Sequence, residues 1–541
     1  MLRALAHWID RNILSLAREM RLSYLPPLMV YMAAGVSGLT GIVSGFFVKD
    51  YLSLSAEFLA ALGFWAGIPW ALKMPIGHVV DLIWRWKGWL VWLGASLIAA
   101  SLLVMYGLIA HRPAMESLLP ANVWYVLGAL LSPIGYVVQD AVADAMTVEA
   151  VPYVDDVGKP VAADARKLMH TTMQTLGRVA IISGGGLVSL INLWMFADVE
   201  NMSKPEVLAT YARLYQLALI IPIISVLGVI VAAVLKHRER SRLRALGLSD
   251  AEIGQRITDR SEVTTPNWYI LGGGLAFVVF TALTGLSQHQ FKEEIVFVGS
   301  LAIVSYLIKR LTSALEPAAR ATLIGTAIVI FMFRATPGVG QGISWWMIDK
   351  LKFDQHFFAV LELISGSLTL AGMFIFRRFM AERSIAYVIG FLTLMGFILS
   401  LPTIAMYYGL HEWTAAHTGG VVNARFIALV NTAIESPLGQ ISMIPMLAWI
   451  ANSAPANLKA TYFAVMASFT NLALSASQLG TKYLNQIFPV TREIRDQASG
   501  TITVPEDYSQ LGHLITVQMV ISLLVPFAAI LFSRVTRFRS A

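Results

Sequence analysis

Nothing restricts this chain more than the recurrence, from end to end, of apolar runs about twenty residues long. A helix rises 1.5 Å per residue, so such a run spans the hydrocarbon core of a bilayer, about 30 Å. In lipid, every backbone N–H and C=O needs a partner inside the protein, and runs of this length meet that need as helices. Fourteen stretches qualify: 25–48, 54–77, 89–109, 123–150, 165–194, 209–235, 267–287, 293–311, 318–348, 357–379, 384–409, 424–452, 457–487 and 511–533. They are called spans one to fourteen. The chain is 57% hydrophobic and 13% charged, against roughly 45–50% and about 25% in soluble domains. A polytopic all-α membrane protein is expected, with no sizeable soluble domain.

Lys and Arg crowd into alternate loops, which places both termini on the inner side. The net charge of +7 follows from this rule and does not call for a nucleic-acid partner. Residues 1–24 are polar and basic and lack a signal-peptide pattern, so span one is expected to act as the insertion signal. The absence of cysteine removes disulfides, thiolate metal sites and cysteine catalysis. No P-loop, H-E-x-x-H or nucleophile elbow is present, so neither an enzyme nor a cofactor is expected. The "GGG" runs at 184–186 and 272–274 read as helix packing. So do most of the aromatics of "ISWWM".

A weak internal repeat divides the chain. "KDYLSLSAEFLAAL" (49–62) follows span one and "DKLKFDQHFFAVL" (349–361) follows span nine. Leu52 matches Leu351, Leu54 matches Phe353, and Ser55 and Asp354 are both good N-caps. The implied layout is an N-terminal segment (1–24), a six-helix half (25–235), a linker (236–266), an inserted pair (267–311), a second half (318–533) and a tail (534–541). Two six-helix halves with substrate between them make the major facilitator architecture. "GHVVDLIWRWKG" (77–88) resembles the G-x-x-x-D…R/K loop of that superfamily. It places Gly77, Asp81 and Arg85 in a gating loop after span two, where a glycine permits close helix approach.

Charges inside the spans point to function, because each costs about 2.5–3.5 kcal/mol at mid-membrane. "PIGYVVQDAVADAMTVEAV" (133–151) carries Asp140 and Asp144 at i, i+4 on one face, and Glu149 near the inner end. Arg178 lies at matching depth in span five and is the expected counter-ion, with His170, Thr171 and Gln174 along its strip. In the second half Arg334 precedes "ATPGVGQG", where a helix break would free backbone to line a cavity. Glu435 lies mid-helix in span twelve, beside Ser436, Pro437 and Gln440, in the place that the Asp140 region takes in the first half. Glu362 and Lys73 are lesser candidates.

These residues also carry a family resemblance. The stretch from "YLPPLMVYMAAGVSGLTG" to "GHVVD", the segment "QDAVADAMTVE", "FRATPGVGQGISWWMIDKLKF" and "ESPLGQISMIPMLAWIANSAPANLKATYF" together resemble the folate–biopterin transporter family. The resemblance implies a major facilitator fold and transport of folates or pteridines, with proton coupling. It carries over Asp81, Asp140, Asp144, Glu149, Arg334 and Glu435. "GQGISWWMIDK" and the inserted pair depart from the family pattern. For such a ligand, Glu435 or Asp140 would accept the ring edge in bidentate fashion. Arg334 or Arg178 would hold an anionic group, with Gln174 and Gln440 adding polar contacts. Asp144 and Glu149 are the expected proton sites, since a carboxylate in a low-dielectric cleft titrates nearer the working range. The expected partners are the small molecule, protons and lipid. The protein is expected to act as a monomer in the plasma membrane, or the inner membrane of a bacterium. A carrier or exporter of another solute, and a non-transporting assembly factor or receptor, are the other readings of the same fold.

Overall fold

In a computed structural model of the protein, the described residues are 15–52, 54–71, 73–152, 161–245, 247–249, 253, 265–287, 289–314, 316–376, 379, 383–439, 441, 459–495, 501–536, 538 and 540. Helices occupy all fourteen stretches. Eleven of them are long and apolar enough to cross a membrane. Those at 292–311, 424–435 and 459–487 are not among the eleven. Side-chain caps start several of them: Asn423 accepts from Phe426 N at 3.1 Å and Ser384 from Tyr387 N at 3.2 Å. The repeat-mates Ser55 and Asp354 cap as expected, accepting from Phe58 N at 3.1 Å and Phe357 N at 2.7 Å.

The face of the molecule where span one begins is termed proximal, and the face where it ends at Tyr51 distal. Several boundaries differ from the expectation. The second span is helical over Ala56–Ala71 and again over Lys73–Leu82, so Gly77 and Asp81 lie on a helix and only Ile83–Lys87 form the turn. Val79 and Val80 supply apolar surface that keeps the helix going, and Val80 is buried at 1% exposure. Span six divides at Leu219 into Lys204–Ala218 and Ile220–Ala245, the latter running into the basic linker.

Two spans are broken in equivalent places. Span one passes through a tight 3-10 turn at Ser37–Thr40 between Leu25–Val36 and Gly41–Tyr51. Span nine stops at Arg334, runs irregularly to Gln341, and resumes at Gly342–Asp349. The expectation that the second break lines a cavity is corrected, because its backbone is satisfied by neighbouring helices. Ser477 donates to Thr336 O at 2.7 Å, Gln518 to Pro337 O at 3.1 Å and Asn485 to Val339 O at 3.0 Å. Gly338 N donates to Thr481 Oγ1 at 2.8 Å. Gly340 (φ +85°) permits the turn, and a Cβ there would stand 2.8 Å from Asn485 Nδ2.

The first half repeats the device. Asn192 of span five donates to Val188 O at 3.0 Å and to Leu39 O, in the break, at 3.4 Å. Asn485 of span thirteen likewise donates to its own Thr481 O at 2.9 Å. Each half thus ties its broken first span to its fifth with one asparagine. Spans one and five also touch backbone to backbone, and a Cβ on Gly35 would lie 2.2 Å from Ile181 O.

The halves meet along spans two and thirteen, and along spans five and ten. The inserted pair, Trp268–Leu286 and Lys292–Leu311, lies over the first of these seams. Its Glu293, 5% exposed, accepts from Trp65 Nε1 of span two at 2.9 Å and pairs with Lys482 of span thirteen at 3.3 Å. Glu294 pairs with the same lysine at 3.3 Å and accepts from Tyr483 OH. Two short antiparallel strands, β1 (Ile494–Arg495) and β2 (Ile502–Val504), lie in the distal loop after span thirteen.

Leucine at Asn485 leaves the Val339 carbonyl without its donor inside the membrane. The expected loss is about 1–3 kcal/mol, read as a lower thermal unfolding midpoint in detergent. Asn192→Leu is expected to lose less, in keeping with its longer bond. Removing the exposed Ser400 hydroxyl serves as a control and is expected to change little.

Candidate functional site

Four spans of the first half bring charge together near the proximal side of the membrane. Lys73 of span two reaches both acids of span four, with Nζ 2.6 Å from Asp140 Oδ2 and 2.7 Å from Asp144 Oδ2. Tyr31 of span one donates its hydroxyl to Asp144 Oδ1 at 2.7 Å. The i, i+4 spacing of the acids lets one ammonium serve both. All three charged side chains are partly buried. Close by, Gln174 donates to Thr147 Oγ1 at 3.3 Å, and Thr147 donates back to Asp144 O at 2.7 Å.

The expected pairing of Arg178 with these acids is therefore corrected. The counter-ion is Lys73, which the sequence ranks lower because it sits near a helix end. Arg178 lies within electrostatic reach of Asp140 and Tyr31 and makes no hydrogen bond or ion pair among the described residues. Glu149 stands apart from the cluster. It pairs with Lys87 at 2.7 Å and Lys236 at 3.5 Å, joining the proximal ends of spans three, four and six. Lys87 also sits over the Trp84 ring at 3.9 Å. At Gly77 the expected close helix approach is absent, since a Cβ there would meet nothing within 4 Å. Asp81 lies on the same helix and Arg85 is exposed in the turn.

In the second half, Glu435 ends the helix Ala424–Glu435. It continues the row Ala424, Ala428, Asn431, whose alanines pack into the core around Trp345, Trp346, Phe353 and Phe357. The lipid-facing row is Phe426, Val430 and Ile434, all exposed. Glu435 is exposed and has no hydrogen bond or ion pair among the described residues. Arg334 closes the first part of span nine, where a cation complements the helix C-terminus. Its Nε is buried without a partner. Gln440 lies outside the described residues.

The distal face is shut by contacts across the seam. Lys49 pairs with Asp349 at 2.6 Å, and Tyr508 OH donates to the other oxygen of that carboxylate at 2.5 Å. Gln355 donates to Tyr211 OH at 2.6 Å and Gln486 to Glu57 at 2.6 Å. Phe46 and Phe358 meet edge to face with centroids 5.9 Å apart. Arg492, in the distal loop, donates to Leu52 O and lies 4.8 Å over the Trp345 ring. Burial pulls its pKa down to about 10, so it stays charged at neutral pH. Burial and the bond to Asp349 push the Tyr508 phenol up, which keeps it a donor. No spacing in the sequence announces Lys49, Asp349 or Arg492 as a set, because the partners come from segments far apart in the chain.

A model of the BT1 family matches residues 168–538. The folate-biopterin transporter of Synechocystis sp. is 21% identical over 450 residues, 82% of this chain and 71% of the relative. Folate transporter 2 of Plasmodium falciparum is 25% identical over 158 residues, 29% of this chain and 33% of the relative. Among solved structures, an auto inhibited POT family peptide transporter is similar with a TM-score of 0.56 at 11% identity, covering 96% of this chain and 97% of that one. A POT family transporter in complex with a thioalcohol conjugated peptide has a TM-score of 0.53 at 12% identity, covering 95% and 96%. At such identities the structural likeness establishes the fold, that of major facilitator transporters.

Removing Lys73 leaves two carboxylates at close range, with the Tyr31 hydroxyl on Asp144. Lys73→Met is expected to destabilise by about 3–5 kcal/mol, the range for breaking a buried pair on one side. Neutralising one acid as well, in Lys73→Met with Asp140→Asn, is expected to recover most of that loss. Unfolding midpoints of the two single variants and the double variant check this as a cycle.

Proposed function

The chain belongs to the BT1 family, the folate–biopterin transporter family that its motifs resemble, and is a transporter rather than an enzyme; from that premise we propose that it carries folates or pteridines across the membrane by alternating access, coupled to protons. The observation that carries the reading is the similarity to the folate-biopterin transporter over most of both chains. The cluster around Lys73 is consistent with it.

In this reading the proximal face is cytoplasmic, the membrane is the plasma membrane (the inner membrane in a bacterium), and the protein works as a monomer. The distal contacts hold the outer side shut, so the cleft opens toward the cytoplasm. Gly77, Asp81 and Arg85 belong to the gate that closes when the cleft faces outward. The open space beside Gly77 fits a gate that is apart here.

The proton enters at Asp144. Lys73 divides its bonds between Asp140 and Asp144. A proton on Asp144 weakens one of the two ion pairs and leaves Lys73 to Asp140, and that shift loosens the tie between spans two and four. Asp140 or Glu435 takes the ring edge. Arg334 or Arg178 takes an anionic group, with Gln174 and Gln440 as polar neighbours. Glu149, held by two lysines, is the weaker candidate for a proton site, and its pairing fits a role in joining helix ends.

The test is uptake of labelled folate and biopterin into proteoliposomes, with and without an inward proton gradient. The wild type is expected to show uptake that the gradient stimulates. Asp144→Asn is expected to lose the stimulation and to keep exchange of external for internal substrate. Glu435→Gln is expected to lose both. No uptake of either compound by folded, correctly oriented protein overturns the substrate class, and undiminished stimulation in Asp144→Asn overturns the proton site.

A further inference from the structure

Span ten carries a carboxylate that the cluster around Lys73 does not account for. Glu362 is exposed and has no hydrogen bond or ion pair among the described residues. Its position on the helix Gln355–Ile375 shows which way it faces. Phe358, one turn toward the distal side at i−4, touches Phe46 of span one. Gln355, two turns toward the distal side at i−7, bonds Tyr211 of span six. Gly366, one turn toward the proximal side at i+4, comes so near span five that a Cβ would lie 3.8 Å from Gly186 N. All three partners belong to the first half. Farther toward the proximal side, Thr369 at i+7 on the same face and Gly372 at i+10 meet Ser436 and Pro437 of the second half. Glu362 thus lies on the row that Gln355, Phe358 and Gly366 turn toward the first half, exposed between two levels of contact.

The facing helices leave room there. On span one, the turns below Lys49 are Gly45, Gly41 and Gly38, and a Cβ on any of them would meet nothing within 4 Å. The same holds for Gly185 on span five. Beneath the Lys49–Asp349 and Phe46–Phe358 contacts, span one thus offers bare backbone and span ten a carboxylate with no donor among the described residues.

Arg178 is the matching group of opposite sign. Spans five and ten run antiparallel and meet at Gly186 and Gly366. Glu362 is four residues to the distal side of that contact and Arg178 eight residues to the proximal side. At 1.5 Å per residue the two levels are about 18 Å apart along the axes.

We propose that Glu362 is a further substrate-binding residue, at the distal end of the cleft, accepting the N–H donors of a heterocycle while Arg178 holds a carboxylate at the other end of the same extended molecule. The proposal rests on the transport reading above and puts Glu362, in place of Asp140 or Glu435, at the ring edge. A two-ended solute, with a ring at one end and an acid at the other, engages both groups, and a free ring compound engages Glu362 alone. A carboxylate is suited to the ring end because it accepts two N–H donors at once, with charge assistance.

Equilibrium binding of labelled folate and of labelled biopterin to purified protein in nanodiscs tests it, without requiring transport. Glu362→Gln is expected to weaken both ligands about tenfold or more, with an unfolding midpoint near that of the wild type. Glu362→Asp is expected to restore part of the affinity. Arg178→Gln is expected to weaken folate by a similar factor and to leave biopterin within about twofold. Wild-type affinity of Glu362→Gln for both ligands overturns the role of Glu362 and leaves the transport reading standing. Equal loss of folate and biopterin in Arg178→Gln overturns the two-ended arrangement. A wild type that binds neither compound overturns the substrate class, and with it the ligand assigned to Glu362.

Discussion

The bilayer takes water away as a hydrogen-bond partner, and most of what is specific in this structure answers that one constraint. Where spans one and nine break, carbonyls and an amide would be stranded, and Asn192, Asn485, Ser477, Thr481 and Gln518 meet them. Where acids enter span four, one lysine and one tyrosine satisfy them. The two acids of the inserted pair are met in the same way, by Trp65, Lys482 and Tyr483. Against this background, the groups left without partners among the described residues stand out. Arg178, Arg334, Glu362 and Glu435 are among them, all within spans.

The duplicated plan is visible at the level of single atoms. One asparagine in the fifth helix of each half bonds its own preceding turn and the broken first helix. One polar residue after each first helix caps the second. The halves diverge in how their mid-membrane charges are treated. The first half neutralises its acids internally, whereas Glu435 and Arg334 in the second half have no such partner among the described residues.

Much of the fold could be read from the order of residues, because lipid imposes a length and a polarity on each span. The caps at Ser55 and Asp354 were legible because a cap is local to four residues. The division into halves showed through the same motif. Pairing across helices was not legible. Arg178 looked like the partner of Asp140 by depth alone, yet Lys73 holds both acids, since which helix is neighbour to which is decided by packing. The loop pattern of Gly77 and Asp81 does not announce their helical state, which Val79 and Val80 extend. The freed backbone of span nine was expected to face a cavity, and the polar strip of span thirteen takes it up instead. Of the candidate residues, Asp140, Asp144 and Gln174 come together, whereas Glu149 belongs to the proximal ion pairs.

The inserted pair has a bearing on speed. Glu293 is bonded to span two on one side of the seam and span thirteen on the other, in a setting nearly closed to solvent. In a carrier whose halves rock against each other, such a clasp cannot follow both. Each turnover must open it or bend around it, and it must close again before the next. In such a carrier the pair would act as a governor on the cycle, because Glu293 ties spans two and thirteen across the seam without belonging to the cluster around Lys73.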